Sequence, residues 1–152
     1  MLLGLLLILI SGNAYAVDYR WTIGFAQGTV EAIIRNAAGS SVNIYCPSGQ
    51  LDTTPGMFIK VDKVRPRKDE QIHVQIVVDG KNHAFGLREI EFQASGRANF
   101  KSLHSLIDDL AKAKGKQFSV EFPKFGMAER FSLLDARKTL KSGGNFLSDC
   151  DR

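Results

Sequence analysis

The side chains of this chain that could do chemistry are three histidines, two cysteines and a scatter of serines and carboxylates. His73, His83 and His104 lack the one-helical-turn spacing that puts two imidazoles on one metal ion. His73 and His83 fall on two successive strands joined by the turn Asp79-Gly80-Lys81-Asn82, so the hairpin is expected to bring them near each other. Two neutral imidazoles on one face would bind zinc or copper if a third ligand joined them, and none is identifiable in the sequence. Exposed strand histidines are the simpler reading. His104, beside Leu103, reads as a partly exposed helix residue. No metal and no cofactor are expected.

Nucleophilic catalysis is no better supported. A serine nucleophile needs a base and an orienting acid, and no Gly-x-Ser-x-Gly elbow occurs. Asp108 and Asp109 are adjacent on a helix, where neighbouring side chains diverge. Walker and dinucleotide-binding fingerprints are absent from the sequence. A thiol nucleophile at Cys46, just before Pro47, competes with a simpler use. Cys46 and Cys150 are an even pair, which in an oxidising compartment suggests one disulfide. Its loop would enclose nearly the whole domain, and a loop of about 100 residues is worth roughly 4.7 kcal/mol in the chain-entropy account. Such a bond would staple the tail Phe146-Leu147-Ser148-Asp149-Cys150 onto the rest; free thiols and pairing between chains are the alternatives. The chain is read as non-enzymatic, with a hydrolase of dispersed site as the outlying alternative.

The compartment is read from the first residues. Residues 2–10 are apolar throughout, Ser11, Gly12 and Asn13 follow, and Ala14-Tyr15-Ala16 puts small residues where a signal peptidase reads. Residues 1–16 are therefore expected to be a signal peptide, and residues 17–152 one exported domain, periplasmic or secreted. The apolar run is shorter than the roughly 20 residues a membrane span needs, and no cysteine follows Ala16 to carry a lipid. No lysine or arginine precedes the run, a departure from the usual signal; a buried N-terminal helix is the competing reading.

The net charge is +4. Cations cluster at Lys60, Lys63, Arg65, Arg67 and Lys68, at Lys112, Lys114 and Lys116, and at Arg137, Lys138 and Lys141. Interleaved acids (Asp62, Asp69, Glu70, Asp108, Asp109) fit a solvated surface. The functional reading is a surface that steers an anionic partner, an acidic protein or an anionic envelope component. Nucleic acid is not expected, since no recognised binding motif is present. Ten phenylalanines imply a core of apolar rings. Phe125 sits at a predicted turn tip with Lys124 and Arg130 flanking it, the composition of a binding hot spot with a basic rim. The candidate contact residues are thus Arg65, Arg67, Lys68, Lys124, Phe125 and Arg130.

The elements that must position these residues follow from hydrophobic period. Alternation predicts strands over 20–26, 29–35, 41–46, 57–64, 71–79, 83–93, 116–122 and 129–134. Asn36-Ala37-Ala38-Gly39-Ser40 and Asp79-Gly80 are turn signals, the second suited to a type I′ hairpin. Within 83–93 the apolar parity changes between Leu87 and Ile90, which predicts a β-bulge or bend near Arg88-Glu89. Phe100, Leu103, Ile107 and Leu110 recur at helical spacing, with Asn99 as the expected N-cap and Gly115 as the stop. Asp135 is expected to cap a short helix through Lys141. The sum is an α+β domain: a mostly antiparallel sheet of about eight strands, packed on one amphipathic helix, with a short C-terminal helix. The leading functional expectation is a non-catalytic exported binding module, such as an inhibitor, immunity-type or envelope accessory protein. A small-ligand or lipid carrier with a cavity between sheet and helix is the alternative.

Overall fold

The computed structural model describes residues 19–26, 28–47 and 54–142. The expected signal segment, most of the loop between Pro47 and Gly56, and the tail with Cys150 lie outside the described residues.

Alternating apolar side chains build one antiparallel sheet of nine strands. β1 (Thr22–Ala26), β2 (Thr29–Arg35), β3 (Ser41–Pro47) and β4 (Gly56–Lys60) form a meander. β5 (Gln71–Val78), β6 (Lys81–Arg88) and β7 (Glu91–Gln93) form a second, which returns so that β7 pairs with β4. Helix α1 (Gly96–Lys112) then carries the chain across to β8 (Gln117–Phe122), the other neighbour of β5, and β9 (Met127–Ser132) completes the order β1-β2-β3-β4-β7-β6-β5-β8-β9. The protein is α+β, as its sequence pattern implies.

The ninth strand comes from the parity change in 83–93. That segment is not one bulged strand. Glu89 adopts φ 57°, Arg88 pairs with Glu91, and the chain reverses there as a tight hairpin between β6 and β7. A reversal resets strand parity as effectively as a bulge does, so alternation by itself does not separate the two. Asp79 (φ 48°) and Gly80 (φ 80°) make the other hairpin in the left-handed conformation that a type I′ turn requires.

One face of the sheet carries Ile34, Ile44, Met57, Ile72, Val74, Ile76, Leu87, Val120 and Phe131, all buried, in one core with Leu103, Leu106, Ile107 and Leu110 of α1. Each such helix side chain contributes roughly 1.5–3 kcal/mol by leaving water. Asn99 is not the N-cap: the helix begins three residues earlier, after Ser95, and Asn99 Nδ2 donates to the Ser95 carbonyl at 3.0 Å. Gly96, at φ 79°, supplies the left-handed bend into the helix. The helix stops at Lys112, and the Asp79 carboxylate accepts from the next two backbone amides, Lys114 N (2.7 Å) and Gly115 N (3.0 Å). The expected C-terminal helix is a π-helical turn, Lys138–Ser142, and Asp135, at φ 62°, precedes it in a left-handed conformation rather than as an N-cap.

The sheet curls until its ends meet. Trp21 N donates to Leu134 O at 3.0 Å, the Trp21 ring stacks on Phe118 with centroids 6.0 Å apart, and Thr139 Oγ1 donates to Trp21 O at 3.1 Å. Asn36, in the turn between β2 and β3, donates to Glu129 Oε2 (2.8 Å) and Arg130 O (3.2 Å) of β9.

Candidate functional site

Because β5 and β8 are antiparallel neighbours, the start of β5 lies beside the end of β8. The connection from β4 to β5 therefore meets the turn that follows β8. Lys124, in the 3-10 turn Pro123–Phe125, pairs its ammonium with a Glu70 carboxylate oxygen, and the other oxygen accepts Arg67 N at 2.7 Å. The Lys124 hydrogen bond, then that of the Arg67 amide, holds the Glu70 carboxyl below its ordinary value. Glu89 Oε1 accepts Asp69 N at 3.1 Å, tying the same connection to the β6–β7 hairpin.

Lys63, Arg65, Arg67 and Lys68 are exposed on this connection, and none of them ion-pairs with a described residue. Five of the six residues singled out in the sequence thus come together: Arg65, Arg67 and Lys68 from one turn, Lys124 and Phe125 from the other. Phe125 is half-buried against the edge of the core rather than standing out at a tip, with Lys124 Nζ 5.8 Å from its ring centroid. The reason is local. Gly126 takes φ 59° and its amide returns to Pro123 O at 3.2 Å, folding the ring inward. Arg130 stands apart, exposed on β9 opposite Ser119, where it borders a cleft of about 320 Å³ with Val77, Asp79 and Gln117.

The histidines are not brought together. In the β5–β6 register His73 lies opposite Gly86 and His83 opposite Ile76, so the two imidazoles leave opposite faces of the sheet. His73 is exposed, and His83 is buried against α1. There His83 Nε2 comes within 2.9 Å of Asp109 Oδ2, at an angle too oblique for a well-formed hydrogen bond, and Lys81 Nζ comes within 2.5 Å of the same oxygen. Burial pushes the His83 pKa down, and Lys81 adds to this against the opposing pull of Asp109. Burial would raise the Asp109 carboxyl, but the hydrogen bond and charge of Lys81, with His83, bring it below its ordinary value. A cleft of about 330 Å³ beside this cluster is lined by Lys81, His83, Lys101, Ser102 and Ser105. Ser102 Oγ donates to Ala98 O at 3.1 Å, and no serine hydroxyl hydrogen-bonds His83, so the cluster lacks the base–nucleophile contact of a hydrolase. Its geometry ties α1 to β6. The sequence reading missed it because Asp109 sits in a run of charges on α1 with nothing local to name its partner on the sheet. His104 is half-buried, its ring 4.5 Å from that of Phe100. Among the described residues no cluster of three or more His, Cys, Asp or Glu is placed to hold a metal ion.

Cys46 is buried on the inner face of β3; the pairing with Cys150 involves a residue outside those described. No helix among the described residues is long and apolar enough to cross a membrane.

A curled antiparallel sheet closed around one helix, with a cationic rim at the β5–β8 end, defines an α+β domain whose distinctive chemistry lies on its surface. The chain matches the YfjT family model over residues 19–140, which takes in every strand and the helix, and it belongs to that family. No curated protein and no solved structure matches it.

Proposed function

We propose that this protein is a non-catalytic binding module, exported to the periplasm or beyond the cell, that engages an anionic partner through the rim formed by the β4–β5 connection and the β8–β9 turn. The observation that carries this reading is the set of exposed cations, Lys63, Arg65, Arg67 and Lys68, left without acidic partners on a connection that Glu70 and Glu89 brace from below. Fixed, uncompensated charge of one sign accelerates encounter with a complementary surface and orients it. The half-buried Phe125 beside Lys124 adds an apolar element at the same rim, the pairing of types from which interface hot spots are built.

The test is capture from envelope extract by the mature chain, compared with a variant carrying Arg65→Glu, Arg67→Glu and Lys68→Glu, at low and high salt. A stoichiometric protein or anionic polymer that is held by the native chain, released by salt and lost in the variant supports the reading. A partner held equally by the variant overturns this rim as the contact surface. Lipid or another small molecule in the eluate, with no macromolecule, overturns the binding-module reading in favour of a carrier.

A further inference from the structure

We infer that the segment after Ser142 is a strap that lies against the inner face of β1 and β2, with Cys150 bonded to Cys46 and with Phe146 and Leu147 covering Ile23, Phe25 and Val30. Directly opposed residues of an antiparallel sheet point to the same face. Ile23 faces Ala32, which faces Ile44, which faces Met57; Phe25 faces Val30, which faces Cys46. Ala32, Ile44, Met57 and Cys46 are fully buried, yet Ile23 is 52 % and Phe25 70 % exposed on the same side. The inner face is thus covered over β3 and β4 and left open over β1, with two large apolar side chains aimed into the gap.

The chain's own route names the occupant. The π-helical turn that ends at Ser142 is fastened to the foot of β1 by the bond from Thr139 Oγ1 to Trp21 O. From Trp21 to the row of Phe25 is about 13 Å along the strand, and from β1 to β3 about 10 Å across. The stretch from Ser142 to Cys150 reaches about 26 Å when extended, enough to run the length of β1 and reach β3. It carries Phe146 and Leu147 and then the second of the chain's two cysteines. The bond itself forms by exchange with a disulfide oxidant. Two thiols lose two protons and two electrons, the Cys46–Cys150 bond forms, and the oxidant's own disulfide is reduced to two thiols. Such an oxidant belongs to an exported environment, so spontaneous oxidation in the cell rests on the export reading. The covering of β1 does not, because it can be read on purified protein oxidised in vitro.

The experiment uses the full mature chain, residues 17–152, and three variants: Cys150→Ser, Phe146→Ser and Leu147→Ser. Peptide mapping without reductant identifies the bond, and amide hydrogen exchange reports protection of β1. A Cys46–Cys150 peptide, with β1 protection lost in Cys150→Ser and reduced in the two apolar variants although their disulfide is intact, is the expected result. Equal exchange of β1 in all four proteins overturns the strap, as does a Cys46–Cys46 bond between chains. Fractionation of the native protein to the cytoplasm with both thiols reduced would sink the export reading while leaving the exchange result to judge the strap.

Discussion

Replacing Asn36 tests whether the curled sheet is truly closed between its first and last strands. The Asn36 side chain makes four hydrogen bonds: its Oδ1 accepts from Ala38 N (3.1 Å) and Ser40 N (3.0 Å), and its Nδ2 donates to Glu129 Oε2 (2.8 Å) and Arg130 O (3.2 Å). Ser40 is buried, so Asn36→Ala strands an amide with no water to replace its partner, a cost of about 1–3 kcal/mol. The bond to the ionised Glu129 contributes roughly 1.5 kcal/mol more, and the exposed Ala38 amide adds little. The sum is about 3 kcal/mol, or a fall of roughly 10 °C in Tm for a domain of this length. Asn36→Asp separates the two halves of the effect. It keeps the acceptor for the turn but sets a second carboxylate against Glu129, so its cost should be large at pH 7 and shrink as acid protonates the pair. Glu129→Gln should restore much of the stability of Asn36→Asp at neutral pH. Thermal and urea unfolding followed by circular dichroism provide the assay. If Asn36→Ala stays within about 0.5 kcal/mol of the native protein, or if Asn36→Ala and Glu129→Gln are strictly additive, the closure contact is not formed in solution.

Two further outcomes follow from the interior. His83 is buried with its pKa lowered from an unfolded value near 6.5. The unfolded chain therefore binds a proton more readily between the lowered value and 6.5. Stability is fully present above that window and falls as pH drops through it, with Asp109 acting in the same direction further into acid. Urea midpoints between pH 7.5 and 5 should decline in the native protein and decline less in His83→Gln; equal slopes would remove His83 from the account. Gly56→Ala should destabilise by about 2–3 kcal/mol, since a Cβ there would stand 2.3 Å from Tyr45 Oη and 2.5 Å from the Phe92 carbonyl oxygen, and a backbone atom cannot swing aside. Tyr45 has no easy retreat, with its hydroxyl 2.6 Å from Glu91 Oε1 and its ring against Phe58. Gly24→Ala, where a Cβ would meet nothing within 4 Å, is the control, and the argument fails if the two alanines cost the same in denaturant titrations.

What was legible in the sequence was what neighbours in the chain decide. Alternation, turn residues and one helical stripe gave the α+β class and most strand limits, because each is a local preference. The pairing of β4 with β7 was not legible, since it depends on where the second meander ends up against the first. The Asn36–Glu129 closure joins residues 93 positions apart, and no local pattern announces it. The histidines are an intermediate case. The Asp79–Gly80 turn fixes the β5–β6 register, and that register puts His73 and His83 on opposite faces; counting from the turn would have separated them.

The cationic rim shows why charge was the hardest feature to read. Along the chain, Asp62, Asp69 and Glu70 alternate with Lys63, Arg65, Arg67 and Lys68, so the segment looks balanced. Folding breaks the balance by giving acids and bases different tasks. Glu70 turns to the Arg67 amide and to Lys124, a cation from another part of the sequence, and Glu89 of the β6–β7 hairpin holds the Asp69 amide. These carboxylates support the backbone of the connection, whereas its four cations make no such bonds and remain directed at solvent. A surface charge that is screened by mobile neighbours does little at a distance, but a fixed one held on a braced loop keeps its orientation. That difference, invisible in a count of charges, is what makes this rim the place to look for a partner.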